Sequence, residues 1–329
     1  MSGYLPDLTL KIGVDASLFS EISVISHALG AIQYIQMVSV NQEQAIDCLI
    51  GRFIPAHQSS ASSRTNLPPV GSIGLFTQDL SLLNSAFFGR ADEPAVDAVN
   101  RLKPTLKLLL VEKIFEDLAA TSSNLHIQGE IFSASGQGPR IQISSRADGE
   151  NNRPLIRAIA SSSQAFKAGD ALQLQVENLE EREVYLSCLM IDDTAKLTVL
   201  YPLAGEGFNA PEEAGRMGKR SSIANILVVP PPNTVELRLR GSGFLTLLML
   251  ISTAPLRTTL KALQTIAEAR GIRGFQNLEE DEPNQVIDHL LSDLSEMSRS
   301  AETGQVPGGD LSLNTNMLTA FSTVIQIQE

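Results

Sequence analysis

The sequence predicts an α+β protein in three parts: an N-terminal mixed α/β segment (residues 1–125), a central antiparallel, immunoglobulin-like β-sandwich (residues 126–255), and C-terminal helices ending in a terminal strand (residues 256–329). Three observations lead there. Up to about residue 125, short apolar runs alternate with stretches of helical periodicity. Beyond it, period-two runs recur with turn residues between them, the signature of a sandwich. From Leu256 the apolar positions return to helical spacing, and the final residues alternate again.

In the first part, Leu8 to Val14 alternates as a short strand. Ser20 and Glu21 then offer caps for a helix through Ala31, with Ile22, Ile25 and Leu29 on one face. Tyr34 to Val40 and Ile46 to Ile54 read as strands. The stretch from Pro55 to Gly71, rich in Ser and Pro, has too little apolar surface to fill a core and reads as a loop. Ser72 to Thr77 is a further strand. Asp92 is placed to cap a long helix with Pro94 in its first turn, running to about Ala120 on a stripe of Val96, Val99, Leu102, Leu106, Leu109 and Leu110. Pro104 lies inside that stripe and predicts a kink or a division into two helices.

In the second part, Leu172, Leu174 and Val176 alternate with Gln173, Gln175 and Glu177, a half-buried strand. Val184 to Ile191 is apolar on both faces and predicts a central strand. The Asp192-Asp193 turn leads to Leu197, Val199 and Tyr201. Further strands are Ile223 to Val229, one with Val235, Leu237 and Leu239 inward, and Phe244 to Ser252. In the third part, Leu256, Leu260, Leu263 and Ile266 mark one helix and Asn284 to Met297 a second. Gly304 to Gly309 reads as a linker, and Phe321 to Gln328 as a strand that needs a sheet edge.

Charge and motifs narrow the function. The chain has 25 basic and 37 acidic residues, a net charge of −12. That balance argues against a nucleic-acid-binding surface, which needs a basic face. No apolar run reaches the roughly 20 residues of a membrane helix, and Met-Ser-Gly-Tyr-Leu-Pro-Asp has no leader-like apolar core. With two cysteines, Cys48 and Cys188, there is no disulfide framework, and the expected location is the cytoplasm. His27, His57, His126 and His289 lack metal-ligand spacing, and no cofactor fingerprint occurs, so no metal, cofactor or catalytic residues are assigned. Cys48 with His57 or His27 is the one nucleophile–base pairing to weigh, against a buried thiol near an exposed imidazole. The run Glu279, Glu280, Asp281, Glu282 lacks the spacing of a calcium loop and reads as the solvated start of a helix. Asp192 and Asp193 suit a hairpin turn. Arg216, Lys219 and Arg220, among glycines, form a candidate processing loop open to trypsin-like cleavage.

Several stretches resemble the C-terminal region of cyanobacterial caspase-family proteins, the orthocaspases or metacaspase-like peptidases. They include Leu10-Lys11-Ile12-Gly13-Val14-Asp15-Ala16-Ser17-Leu18, Asp47-Cys48-Leu49-Ile50-Gly51-Arg52, Gly71-Ser72-Ile73-Gly74-Leu75-Phe76 and Val99-Asn100-Arg101-Leu102-Lys103-Pro104. Lys167-Ala168-Gly169-Asp170, Val184-Tyr185-Leu186, Val199-Leu200-Tyr201-Pro202 and Leu318-Thr319-Ala320-Phe321-Ser322 resemble that family's accessory domain of unknown function and its ending. In that family a peptidase unit precedes this region, with a His in a His-Ser-Gly-His-Gly-like strand end and a Cys in an Asp-Ser-Cys-His-Ser-Gly-like one. Neither motif is present here: Cys48 is followed by Leu-Ile-Gly-Arg, and Cys188 sits between Ser187 and Leu189. The resemblance therefore implies a non-catalytic regulatory or protein-binding module whose partner is a caspase-like peptidase domain or another protein. The alternative it leaves is a fragment or split half of an active caspase-family cysteine endopeptidase.

Overall fold

The computed structural model describes residues 9–39, 46–55, 67–84, 87–120, 125–133, 139–145, 155–158, 166–167, 172–192, 196–204, 214–227, 243–271, 274–279, 281–301 and 317–328. It is mixed α/β, with four helices and three sheets among these residues, and divides into two compact units, residues 8–113 and residues 114–329.

In the first unit, β1 (Leu10–Val14) lies between β2 (Ile35–Val38) and β3 (Cys48–Arg52), parallel to both, and β4 (Ile73–Phe76) adds antiparallel to β3. All five residues of β1 except Lys11 are buried, as expected of a central strand. A 3-10 turn (Ala16–Glu21) leads into α1 (Ile22–Gly30). The cap is not where the sequence put it: the Asp15 carboxylate accepts from Ser17 N, while Glu21 makes no capping bond. Asp15 wins because it sits at the end of β1, where the chain is still extended, as an N-cap requires.

Helix α2 (Ala95–Ala120) is one helix through Pro104, not two. Buried Leu102, Leu106, Leu108 and Leu110 on both sides of the proline hold it together, so the missing backbone bond is tolerated. Asp92 does not cap it; it stands beside Arg90 (3.9 Å), and the Pro94 carbonyl accepts the first helical bond, from Ala98 N. Val96, expected on the apolar stripe, is exposed.

In the second unit, one sheet has the order β13-β9-β5-β6-β7: β13 (Ser222–Leu227), β9 (Leu172–Asn178), β5 (Ile127–Ser133), β6 (Arg140–Ser144) and β7 (Leu155–Ala158). The other has the order β15-β11-β10-β14-β16-β8, with β12 (Arg216–Met217) also on β10. Its strands are β8 (Phe166–Lys167), β10 (Val184–Asp192), β11 (Leu197–Ala204), β14 (Gly243–Ser252), β15 (Gly274–Asn277) and β16 (Leu318–Gln328). One apolar cluster joins the sheets: Ile127, Ile131, Leu172, Leu174 and Val176 from the first, and Leu186, Cys188, Met190, Leu247, Met249, Phe321 and Ile325 from the second. Leu172, Leu174 and Val176 point inward and Gln173, Gln175 and Glu177 do not, as their alternation predicts.

Helices α3 (Arg257–Arg270) and α4 (Glu282–Ala301) cover the other face of the second sheet. There Leu256, Leu260, Leu263, Val286 and Leu290 gather around Leu189, Val199 and Leu250. This explains why β10 and β14 are apolar on both faces: one side meets the apolar cluster shared with the first sheet, the other the helices. The terminal strand found its edge on β14, antiparallel from Gly243↔Ile327 to Ser252↔Leu318. The strand expected around Val235, Leu237 and Leu239 and the linker Gly304 to Gly309 lie outside the described residues.

Candidate functional site

The two thiols are interior. Cys48, 1% exposed, opens β3 opposite Ile12 of β1. Burial pushes its pKa up to about 12; the neighbouring Asp47 charge adds to the rise and Lys113 opposes it. Asp47 is itself engaged, since its Oδ2 accepts from Lys113 Nζ (2.6 Å) and Lys11 N (2.7 Å). Burial thus favours the neutral thiol over the thiolate that a nucleophile needs. Cys188 is fully buried on the inward face of β10, shared with Val184, Leu186 and Met190, and burial raises its pKa as well.

Three of the four histidines lie among the described residues. His27 is exposed on α1 and His289 is exposed on α4, and His126, half-buried, opens the way into β5 with its backbone N–H donated to Glu180 Oε1 (2.7 Å). His57 lies outside the described residues. No group of three or more His, Cys, Asp or Glu side chains suited to a metal ion occurs among the described residues.

The acidic run has a structural partner. Arg270, in the last turn of α3, holds Glu279 (3.0 Å) and Glu282 (2.9 Å), and Glu282 also accepts from Glu279 N (2.9 Å). The run thus fixes the turn into α4; Glu280 lies outside the described residues. Asp192 takes the hairpin role its position suggested: its Oδ1 accepts from Lys196 N (2.9 Å). Asp193 is outside the described residues.

The basic segment is tied to the sheet. Arg216 sits in β12 opposite Tyr185, and its guanidinium takes both Glu183 carboxylate oxygens (3.0 and 2.6 Å), holding that carboxyl below the usual range. Arg220 pairs with Glu181, and its backbone N donates to Glu180 O (3.1 Å). Lys219 is exposed. Gly215 has φ +76°, and a Cβ there would stand 2.4 Å from the Leu186 carbonyl oxygen. Buried Asn178 locks the turn, donating from Nδ2 to Gly218 O (2.8 Å) and Arg182 O (2.9 Å). Cleavage between 216 and 220 therefore requires β12 to leave β10.

A polar network in the first unit lies at the carboxyl ends of β1 and β3. There the strand order about β1 reverses, the place where open α/β sheets form a crevice. Asp15 Oδ2 accepts from Ser17 N (2.9 Å) and Ser17 Oγ (2.5 Å), and Ser17 Oγ accepts from Arg52 N (3.0 Å). Arg52 spans to both carboxylate oxygens of Glu21 (3.2 and 2.9 Å) and to Gly71 O (3.1 Å). A Cβ on Gly51 would lie 2.9 Å from Asp15 Cβ, so the close approach needs glycine. The Ser17 proton rests on a carboxylate, and Arg52 is held by an acid and a carbonyl. The network ties two carboxylates, Asp15 and Glu21, to one guanidinium, Arg52, and no hydrogen bond among the described residues brings an imidazole to Ser17. Its signal in the sequence was Asp15-Ala16-Ser17 directly after a buried strand; the partners Glu21, Arg52 and Gly71 are too far apart in the chain to be paired by eye. Compared with known proteins, the chain matches no family model, no curated protein and no solved structure.

Proposed function

We propose that this chain is a non-catalytic regulatory or protein-binding module of the cytoplasm, of the kind that resembles the C-terminal part of caspase-like cysteine peptidases, with an immunoglobulin-like sandwich that reaches beyond residues 126–255 to take in β15 and β16. One observation carries the reading: both thiols are sealed inside apolar cores with raised pKa values, so neither has the accessible, ionised state that cysteine catalysis needs. The sandwich assignment is supported by two sheets that share one apolar cluster. Both cysteines are buried and unpaired, in keeping with a cytoplasmic setting. No helix among the described residues is long and apolar enough to cross a membrane.

The partner in this proposal is a caspase-like peptidase domain. Titration calorimetry of the whole chain into such a domain, one carrying the His-Ser-Gly-His-Gly-like and Asp-Ser-Cys-His-Ser-Gly-like motifs, is the test. The expected result is saturable binding with Kd at or below about 10 µM. Absence of heat at two temperatures, which removes the case of a vanishing enthalpy at one of them, would contradict the docking reading.

A further inference from the structure

β4 is the last strand of its sheet, yet its outer edge is covered. The chain turns back at Thr77, whose N–H donates to Ser81 O (2.9 Å), and returns along the edge it has just left, with Leu82 opposite Phe76. Two backbone bonds hold it there: Leu83 N donates to Leu75 O (3.1 Å) and Gly89 N to Ile73 O (3.2 Å). Between those two residues stands an aromatic anchor. The Phe88 ring lies on Gly74, where a Cβ would be 2.5 Å from it. The ring meets Phe76 edge to face at 5.1 Å and Phe53 at 6.2 Å. One side chain fastens this strap. Arg101 of α2 donates to Phe87 O (2.8 Å) on the strap, to Ile73 O (2.9 Å) on the strand and to the Glu93 carboxylate (2.9 Å).

We propose that the outer edge of β4 is a strand-acceptor groove, closed in the free chain by the strap that carries Leu83, Phe88 and Gly89, and that its partner is an extended peptide segment with an aromatic side chain in the place of Phe88. The inference rests on the protein-binding reading above and names its surface. The seated strap shows what the groove takes: two N–H groups for the Ile73 and Leu75 carbonyls, and one ring for the notch over Gly74. Any extended chain carries such N–H groups, so the ring sets the specificity. Glycine inside a strand weakens it and marks a close approach, and here the approach is the ring. The strap also holds lightly for a sheet neighbour. It makes these two bonds, whereas β3, on the other side, is in register with every residue from Ile73 to Phe76. Arg101 is the latch, because one guanidinium grips strap and strand together.

Fluorescence anisotropy with a labelled peptide, Leu-Leu-Asn-Ser-Ala-Phe-Phe-Gly-Arg (the sequence of residues 82–90), tests this on the whole chain. Phe88→Ala, which has lost its own anchor, is expected to bind the peptide with Kd of about 10–100 µM. The wild-type chain is expected to bind at least about tenfold more weakly, because the tethered strap competes at high effective concentration. A peptide with Ala in place of its second Phe is expected not to bind. Glu93→Gln keeps the ring and loosens the latch. It is expected to bind about threefold more tightly than wild type, with faster hydrogen exchange at the Leu83 and Gly89 amides and unchanged exchange in β1. A folded Phe88→Ala variant that binds no better than wild type overturns the proposal, and so does binding that ignores the loss of the peptide's ring. Where Phe88→Ala does not fold, Glu93→Gln decides, and affinity and exchange equal to wild type overturn the proposal. Failure here with binding to the peptidase domain intact removes the groove alone; peptide binding without binding to that domain removes the peptidase partner alone.

Discussion

Removing residues 318–329 is expected to abolish the cooperative melting of the second unit. β16 pairs with β14 along its whole length and carries the two-residue β8 on its other side, so its loss strips all of β14's outer edge of its partner. Its side chains Leu318, Phe321, Ile325 and Ile327 are buried, three of them in the cluster that joins the two sheets. Burying each is worth about 1.5–3 kcal/mol. Their removal also uncovers Leu245, Leu247, Met249 and Ile251 on β14. Those losses rival the whole stability of a typical domain, about 5–15 kcal/mol. Calorimetry should show a broad or missing transition, with dye binding to exposed apolar surface. A melting curve equal to that of the full chain would mean the strand is tethered without contributing to the core.

Asp293→Ala is expected to cost about 3 kcal/mol, a fall in Tm of roughly 6–12 °C. Helix α3 begins after Leu256, which makes no side-chain capping bond. Its first-turn donors are satisfied from another helix: Asp293 of α4, 4% exposed, accepts from Thr258 N (3.1 Å), Thr258 Oγ1 (2.7 Å), Thr259 N (2.8 Å) and Thr259 Oγ1 (2.7 Å). The carboxylate thus serves as a cap and, being negative, suits the positive end of the helix dipole. Truncation leaves four donors without that partner, two of them backbone amides. Asp293→Asn keeps the shape and one carbonyl oxygen, and should cost about half as much. Equal melting of wild type and Asp293→Ala, followed by circular dichroism at 222 nm in the helical signal, would show that water caps α3 equally well.

Much of this architecture was legible from local pattern. Leu172 to Val176 alternates in the sequence and alternates in space. Val184 to Ile191 is apolar on both faces because it is covered on both, and Phe321 to Gln328 was visible as a strand in need of an edge. What local pattern could not supply were contacts between distant residues. Asp293 looks like an ordinary polar position of an amphipathic helix until α3 is placed against it. β15 is four residues long with a glycine at its start, too short to stand out from a turn, and it exists through pairing with β11. Gly215 seemed to make its segment easy to extend; in the fold it is glycine because a positive φ and the Leu186 carbonyl demand it. For the candidate edge, Asp15 and Ser17 could be seen as neighbours of a strand end, whereas Arg52 joins Glu21 across 31 residues and Gly71 across 19.

The central claim is that the chain binds and does not cut. The most direct measurement is hydrolysis of fluorogenic peptides with Arg or Lys at the cleaved position, by the whole chain, with and without calcium, beside a Cys48→Ala variant. The account predicts rates at background for both proteins under both conditions, because the Cys48 thiol is buried and its pKa is pushed up to about 12. Turnover above background that disappears in Cys48→Ala would contradict it.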